Sequence, residues 1–169
     1  MRIAFCGVGA LGSTAAVACR NLDATLRLID FDRVESKNLL AQAFVKQSVG
    51  KNKAAALKLQ LQNFYGLKVE AFPVRLETTN VEQLLGPCDL VVDCFDNIAS
   101  RQIISEFVRA RHIACVHAAI SAAGDYALVR WDEAFTPDAE DAPGDIRVQQ
   151  QGVLRDEAGD LRQHVGDLQ

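Results

Sequence analysis

The chain has 169 residues, of which 49% are hydrophobic and 24% are charged, a balance typical of a folded globular protein rather than a disordered one. Its formal net charge of −4 argues against nucleic acid or an anionic membrane surface as the main partner. No apolar run reaches the roughly 18 residues that cross a bilayer, and the N-terminus lacks a signal-peptide pattern, so we expect a cytoplasmic protein. Five cysteines without a Cys-x-x-Cys pair exclude a zinc knuckle of the usual spacing, and no zinc is expected.

Strand and helix patterns alternate along most of the chain. In order, they predict a strand over 2–6, a helix over 11–21, a strand over 25–30, a helix over 51–63, a strand over 68–74, a short helix over 81–85, a strand over 89–94, a helix over 98–111, and strands over 113–118 and 126–131. Several of these strands are continuously apolar, which favours a sheet that is covered on both faces. We therefore predict a three-layer, doubly wound α/β fold of the Rossmann type, mostly parallel, with an antiparallel strand near its C-terminal end.

Composition changes sharply at Thr136. From there onward aromatic residues are absent and Asp, Gln, Gly and Arg dominate. This shift predicts a folded domain over residues 1–135, followed by a polar tail over 136–169 that is disordered or covered by a partner.

A glycine-rich loop follows the first predicted strand, with Gly7, Gly9 and Gly12 in a G-x-G-x-x-G pattern that leads into a helix. Glycines at these places permit a tight turn, close approach of a phosphate to the backbone, and close helix–strand packing. Asp30 ends the second strand, where a carboxylate accepts hydrogen bonds from ribose hydroxyls. These features fit ATP as well as NAD. The alternative is a purely structural one, a glycine-rich turn beside an acidic strand end.

Three further motifs occur in order along the chain. Residues 30–42 read D-F-D-R-V-E-S-K-N-L-L-A-Q, residues 49–56 read V-G-K-N-K-A-A-A, and residues 93–97 read D-C-F-D-N. Over residues 2–131 this series resembles the superfamily of ThiF, MoeB and the ubiquitin-activating enzymes, whose patterns are D-x-D-x-V-x-x-S-N-L-x-R-Q, G-x-x-K-A and D-x-x-D-N. Members adenylylate the C-terminal glycine of a ubiquitin-like or sulfur-carrier protein, using ATP and Mg²⁺.

The resemblance implies a role for each matching residue. Asp30 would hold the ribose, and Asn38 and Lys53 would contact the phosphates. Asp96 would bind Mg²⁺, with Lys53 and Asp96 as the catalytic pair. Simpler roles exist for each: Lys53 could be a solvated helix lysine, Asn38 a loop residue, and the Asp96–Asn97 pair a cap for the following helix.

The sequence departs from the family pattern in several places. Ala41 stands where the family carries an arginine at the triphosphate; Arg33, Lys37, Lys46 or an arginine from a partner chain could replace it. Relative to the family, the chain looks short at both ends. It begins at the first strand, and no cysteine follows Trp131, so no covalent catalytic residue is expected.

The remaining cysteines and histidines carry no predicted chemistry. We expect four cysteines to act as buried small hydrophobes and one to be more exposed: Cys6, Cys19, Cys94 and Cys115 in the first group, and Cys88 in a loop. The three histidines do not cluster and are expected to serve packing or surface roles. A run of small residues over 118–124 could line a groove for a Gly-Gly tail, with close packing as the default interpretation.

Three functions remain open. The first is adenylylation of a small carrier protein ending in Gly-Gly, by a homodimer or heterodimer. The second is a non-catalytic ATP-binding subunit of such a system, which the missing arginine favours. The third is an NAD-dependent oxidoreductase, which accounts for the glycine loop and Asp30 but not for the later motifs.

Overall fold

A computed structural model describes residues 1–120 and 127–135, together with two short strand segments at 154–155 and 161–162. Six strands form one sheet in the order β3-β2-β1-β4-β5-β6. They are β1 (Arg2–Cys6), β2 (Thr25–Ile29), β3 (Lys68–Phe72), β4 (Leu90–Asp93), β5 (Ala114–Ile120) and β6 (Ala127–Trp131).

The first five strands run parallel, and β6 runs antiparallel to β5. This confirms the predicted doubly wound fold with one antiparallel strand near its C-terminal end. The strand order reverses between β1 and β4, and ligands of such folds bind at the carboxyl ends of the strands beside this point. A ligand-binding site is therefore expected in the loops that follow β1, β2 and β4.

Four helices cover the two faces of the sheet: α1 (Ala10–Ala18), α2 (Lys53–Tyr65), α3 (Val81–Leu85) and α4 (Ile98–Arg111). Successive residues of a strand face opposite sides, so β1 contributes to two separate cores. Phe5 packs in one core with Leu57 of α2, and Ala4 packs in the other with Ile104 of α4. Burial on both faces explains why the central strands are mostly apolar in sequence.

Local signals set the ends of the helices and account for small differences from the predicted bounds. The helix predicted over 11–21 ends at Ala18 and continues as a 3₁₀ turn over Cys19–Asn21. The helix predicted over 51–63 begins at Lys53, because the Asn52 side chain accepts a hydrogen bond from the Ala55 N–H and caps it. It runs on to Tyr65 and ends where Gly66 adopts a positive φ of 66°.

Beyond residue 135 the structure describes only β7 (Leu154–Arg155) and β8 (Leu161–Arg162), which pair antiparallel. The rest of the predicted tail over 136–169 lies outside the described residues, as does most of the small-residue run over 118–124. Within the described residues, no helix combines the length and the apolar character that a membrane span requires.

Candidate functional site

The glycine loop after β1 is shaped by close backbone contacts at two of its three glycines. Gly7 has a φ of +84°, and a Cβ there would lie 3.0 Å from the Cys94 carbonyl oxygen. A Cβ on Gly12 would lie only 1.9 Å from the Gly7 carbonyl oxygen. At Gly9, in contrast, an added Cβ would meet nothing within 4 Å. Packing therefore requires Gly7 and Gly12, whereas Gly9 leaves open space at the start of α1.

The Asp30 carboxylate joins the glycine loop to the loop after β2. Its Oδ2 accepts a hydrogen bond from the Val8 N–H at 2.8 Å, and its Oδ1 accepts one from the Asp32 N–H at 2.9 Å. Burial raises the pKa of this carboxyl above its ordinary value, although the two N–H groups and Lys53 act in the opposite direction. Each oxygen has a second lone-pair direction, so the carboxylate retains acceptor capacity for a ribose hydroxyl.

Lys53 begins α2 and is buried, unlike the solvated lysine of the simpler interpretation. Its N–H donates to the Asp32 carbonyl at 2.8 Å, and its Nζ lies 3.1 Å from Asp32 Oδ2. The Asp32 side chain is half exposed, which places this ammonium at the edge of the solvent. The sequence motif contained Asp32, but sequence reasoning assigned it no role.

Asn52 is a second residue that sequence reasoning missed. Besides capping α2, its Nδ2 donates to the carbonyl oxygens of Asp30 at 2.8 Å and Asp32 at 3.1 Å. It therefore fastens the start of α2, and with it Lys53, to the loop that carries Asp30. The sequence analysis started this helix at residue 51, so it predicted neither the cap nor its link to the loop after β2.

Asn38 lies in a 3₁₀ turn over Ser36–Leu40 and acts there as a cap. Its Oδ1 accepts the Glu35 N–H at 2.8 Å, and the Glu35 side chain accepts the Asn38 N–H in return. A phosphate contact from Asn38 would therefore use its side-chain NH₂ group. The chain just after this 3₁₀ turn contacts α1, because the Ala43 N–H donates a hydrogen bond of 3.0 Å to Ser13 Oγ.

Two of the three cations that could replace the missing motif arginine have other partners. Ala41 ends the 3₁₀ turn and is exposed. Arg33 donates to the Gly50 carbonyl at 2.7 Å, and Lys37 lies 2.9 Å from the Glu35 carboxylate, with both side chains of the latter pair exposed. Lys46 is exposed in a short 3₁₀ turn.

The turn after β4 lies against the glycine loop. The Cys94 N–H donates to the Cys6 carbonyl at 2.8 Å, and Cys94 closely approaches Gly7 as described above. Asp96 is exposed in this turn, and Asn97 caps α4 by accepting the Ser100 N–H at 2.9 Å. The capping role proposed for the Asp96–Asn97 pair thus belongs to Asn97, and it leaves Asp96 at the surface.

A buried polar cluster, which the sequence patterns did not predict, adjoins this turn. His117 is fully buried and was expected to serve packing or surface roles, but its two ring nitrogens contact two carboxylates. Nδ1 lies 2.7 Å from Asp93 Oδ2, and Nε2 lies 2.9 Å from Asp132 Oδ1. Ser105 and Arg109 of α4 also donate to the Asp132 carboxylate, at 2.7 and 2.5 Å.

The cysteines are reduced, and their exposure differs in part from expectation. Cys88, expected to be the more exposed one, is buried, because its loop packs under the second core. Cys19 and Cys94 are only partly buried, whereas Cys6 and Cys115 are buried as predicted. Burial raises the pKa of Cys94 to about 12 and also raises those of the other four thiols, which disfavours the nucleophilic thiolate.

Comparisons with known proteins identify the family of the chain. The profile of the ThiF family matches residues 1–151. The chain is similar to a sulfur carrier protein adenylyltransferase of Thermus thermophilus, with 40% identity over 81 residues, which cover 47% of this chain and 30% of that protein. It is 32% identical over 130 residues to the adenylyltransferase and sulfurtransferase MOCS3 of Caenorhabditis briggsae, covering 75% of this chain and 30% of that protein. The chain thus spans less than a third of the length of either relative.

Solved structures share the fold. E. coli tRNA N6-threonylcarbamoyladenosine dehydratase, TcdA, in complex with ATP has 24% identity and a TM-score of 0.65, covering 69% of this chain and 49% of that chain. E. coli MccB with ATP has 21% identity and a TM-score of 0.66, covering 71% of this chain and 37% of that chain. Likeness at these identities establishes the fold and nothing about the substrate.

Proposed function

Because the chain belongs to the ThiF family, we propose that it adenylylates the C-terminal carboxylate of a small sulfur-carrier or ubiquitin-like protein ending in Gly-Gly. Both curated relatives are named adenylyltransferases, and one is named for a sulfur carrier protein. Their names support the reaction and the class of partner. Proteins of the same fold have been crystallised with ATP, which is compatible with ATP as the donor.

The proposed reaction is a displacement at the α-phosphate of ATP. A carboxylate oxygen of the carrier forms a bond to the α-phosphorus, the bond from that phosphorus to the bridging oxygen breaks, and pyrophosphate leaves. The products are an acyl adenylate and pyrophosphate, and no protein nucleophile takes part. Because two anions must meet, the protein has to align the reactants and balance their negative charge.

The open space over Gly9 is the observation that carries the proposal. Gly7 and Gly12 are required by backbone packing, but at position 9 no neighbouring atom excludes a side chain, and the fold favours glycine there only weakly, as the N-cap of α1. A ligand that approaches the backbone closely gives a stronger reason for glycine, and the N-terminus of α1 favours an anion there. The loop contacts Asp30 on one side and the turn after β4 on the other. In the proposed complex, Asp30 would accept from the ribose and the phosphates would lie toward the turn that carries Asp96.

Lys53 and Asn38 would serve the phosphates. The buried stem of Lys53 and its bond to Asp32 restrict the ammonium to one region, which lowers the entropic cost of using it on a ligand. In the proposed complex the ammonium pairs with phosphate oxygens as well as with the half-exposed Asp32 carboxylate. The NH₂ group of Asn38 supplies a neutral donor.

The residues present fit a magnesium ion that arrives with the nucleotide. The described part of the chain contains no group of three or more His, Cys, Asp or Glu side chains that could form a protein cage for a metal. Mg²⁺ bound with a nucleotide needs only one or two carboxylates, because phosphates and water complete its shell. The exposed Asp96 would be that carboxylate, and the ion would neutralise charge on the phosphates.

One observation favours a second candidate, a non-catalytic nucleotide-binding subunit. Ala41 provides no guanidinium for the triphosphate, and Arg33 and Lys37 are engaged elsewhere. In an active assembly, Lys46 or an arginine from a second chain would have to supply this charge. Sedimentation of the protein with and without the carrier measures that assembly.

The test uses a carrier protein with a C-terminal Gly-Gly, purified and incubated with the protein, ATP and Mg²⁺. Intact mass spectrometry is expected to detect the carrier with an added adenylyl group, and a carrier lacking the last glycine serves as the control. Calorimetry with ATP·Mg²⁺ and with NAD⁺ accompanies it. ATP binding without adenylate would favour the non-catalytic subunit, and tighter binding of NAD⁺ would favour an oxidoreductase.

A further inference from the structure

We propose that His117 is a positioning residue for the turn over 94–97, and through it for Asp96. The inference rests on the proposed function for its consequence, since Asp96 is the residue assigned to Mg²⁺. The contact chain itself is independent of that assignment. It runs from His117 to Asp93 and from Asp93 to the backbone of Phe95, which immediately precedes Asp96.

The first step is the pairing of His117 with Asp93. The two residues are directly opposite each other in the parallel pairing of β4 with β5, and both side chains are fully buried. The 2.7 Å contact between Nδ1 and Asp93 Oδ2 is short and shielded from water. A buried carboxylate that lost this donor would retain only weaker partners, because the Arg101 Nε lies 3.8 Å away.

The second step leads from Asp93 to the turn. Its other oxygen, Oδ1, accepts the Phe95 N–H at 3.1 Å. Arg101 of α4 donates to the Phe95 carbonyl at 2.7 Å and also to the Ala118 carbonyl, one residue beyond His117. The N–H and the C=O of Phe95 are therefore both hydrogen-bonded, one by Asp93, which contacts His117, and the other by Arg101, which also contacts the residue after His117. Phe95 also contacts Gly7, since a Cβ there would lie 3.0 Å from the Phe95 ring, so the turn cannot shift without disturbing the glycine loop.

The third step concerns the proton that the cluster needs. An ionised carboxylate only accepts hydrogen bonds, and a neutral imidazole has one N–H. His117 has a carboxylate oxygen at each ring nitrogen, at 2.7 and 2.9 Å. The ring donates a hydrogen bond to the Asp93 carboxylate when Nδ1 carries the proton. The groups facing it from the surrounding elements are Asp93, Asp132, Arg101, Arg109, Ser105 and Cys115.

The covering segment, residues 132–135, shields the His117 ring from water and holds it in place. Phe135 stacks on the His117 ring with centroids 3.8 Å apart and an angle of 9° between the planes. Arg109 holds the covering segment by donating to the carbonyl oxygens of Asp132 at 2.8 Å and of Phe135 at 2.7 Å. The histidine thus has two sides, one that faces the turn through Asp93 and one that faces the covering segment through Asp132.

These two sides give a matched pair of variants. In His117→Gln the terminal amide lies near the position of Nε2, on the Asp132 side, so the Asp93 carboxylate loses the donor that Nδ1 provides. In Asp132→Asn a neutral imidazole still donates from Nδ1 to Asp93 while its Nε2 accepts from the asparagine NH₂. Both changes lie at the same buried cluster, but only the first releases the turn.

The primary measurement is nuclear magnetic resonance on the free protein, which requires no nucleotide. His117→Gln is expected to move the backbone amide signals of residues 95–97, whereas Asp132→Asn moves those of 132–135 and leaves the turn unchanged. In the wild-type protein, ring ¹⁵N spectra are expected to show an N–H proton on Nδ1 of His117, the nitrogen that faces Asp93. This second measurement tests the contact even if His117→Gln does not fold. A wild-type ring without a proton on Nδ1, or equal effects of both variants on the turn, would overturn the proposal.

A separate measurement links the turn to the site. The gain in ATP affinity on adding Mg²⁺ is expected to fall by about 10-fold in His117→Gln, the usual scale for residues that orient a metal ligand, and to stay unchanged in Asp132→Asn. If the wild-type protein itself shows no Mg²⁺-dependent ATP binding, the proposed function fails while the resonance test still decides the role of His117. An unchanged Mg²⁺ effect in a folded His117→Gln protein would contradict the positioning role.

Discussion

The Val8 N–H donates a hydrogen bond of 2.8 Å to the Asp30 carboxylate, which fastens the glycine loop after β1 to the end of β2. Asp30 is thus part of the loop's framework before any ligand arrives. Its carboxylate is buried with no opposite charge in direct contact: the ammonium of Lys53 pairs with Asp32 instead. Such a buried charge destabilises the folded state, and this cost can be measured through the pH dependence of unfolding.

The first prediction concerns that cost. The pKa of the Asp30 carboxyl is raised by burial, so the folded state holds its proton more tightly than the unfolded state does. Its contribution to stability is therefore present below the ordinary carboxyl range near pH 4 and is lost as pH rises through the folded-state pKa. In urea unfolding at pH 3.5, 5 and 7, the stability of Asp30→Asn relative to wild type is expected to improve as pH rises. A relative stability that worsens with pH would show that the hydrogen bonds outweigh burial.

The second prediction has the opposite sign. Burial acts to raise the pKa of the Asp132 carboxyl, but hydrogen bonds from His117, Ser105 and Arg109 outweigh it and hold the pKa below its usual range. A lowered pKa contributes stability above the unfolded-state value, and this is lost as pH falls through the folded-state pKa. Asp132→Asn is therefore expected to be less stable than wild type by about 1–3 kcal/mol at neutral pH.

Urea unfolding over the same pH series checks this second prediction. The difference between Asp132→Asn and wild type is expected to shrink below about pH 4, where the carboxyl of the unfolded wild-type chain becomes protonated. A constant difference at every pH would mean that the charge of Asp132 contributes nothing.

The third prediction separates two glycines of one loop. Gly12→Ala places a Cβ 1.9 Å from the Gly7 carbonyl oxygen, so the backbone must move and unfolding should become easier by about 1–3 kcal/mol or more. Gly9→Ala meets nothing within 4 Å and should cost about 1 kcal/mol or less, the price of alanine at a helix N-cap.

The effect of Gly9→Ala on ATP affinity is expected to be large, although its effect on stability is small. Calorimetry should find that the well-folded Gly9→Ala protein loses most of its ATP affinity, because the methyl group occupies the space left for a phosphate. Full ATP affinity in Gly9→Ala would place the nucleotide elsewhere.

The fold was predictable from the sequence, but several contacts of the site were not. Apolar runs and glycines locate β1, β4 and the loops after them, because burial and turn geometry act locally. The partners of His117 lie 24 and 15 residues away, and only the strand pairing and the segment after β6 bring them together. Asn38 differs from His117 because its partner is local. The resemblance assigned it to the phosphates, and the structure shows that it also caps a 3₁₀ turn.

The fourth prediction restores the family's arginine. Ala41 is exposed, so Ala41→Arg should leave stability unchanged. If no other cation replaces the missing guanidinium, this variant should raise the rate of carrier-dependent adenylylation by at least about 10-fold, and Ala41→Gln should not. Equal rates in wild type, Ala41→Arg and Ala41→Gln would show that another residue already provides the charge.

The central claim is that this site activates a carboxylate with ATP, and carrier-dependent exchange of labelled pyrophosphate into ATP tests it most directly. Lys53→Met removes the buried ammonium, whose pair with the half-exposed Asp32 is worth at most about 1 kcal/mol of stability. Lys51→Met removes an exposed lysine two positions away and is the control. We predict exchange in wild type and Lys51→Met, and a loss of at least about 100-fold in Lys53→Met. Full exchange in Lys53→Met, or ATP binding without exchange in the wild-type protein, would contradict the account.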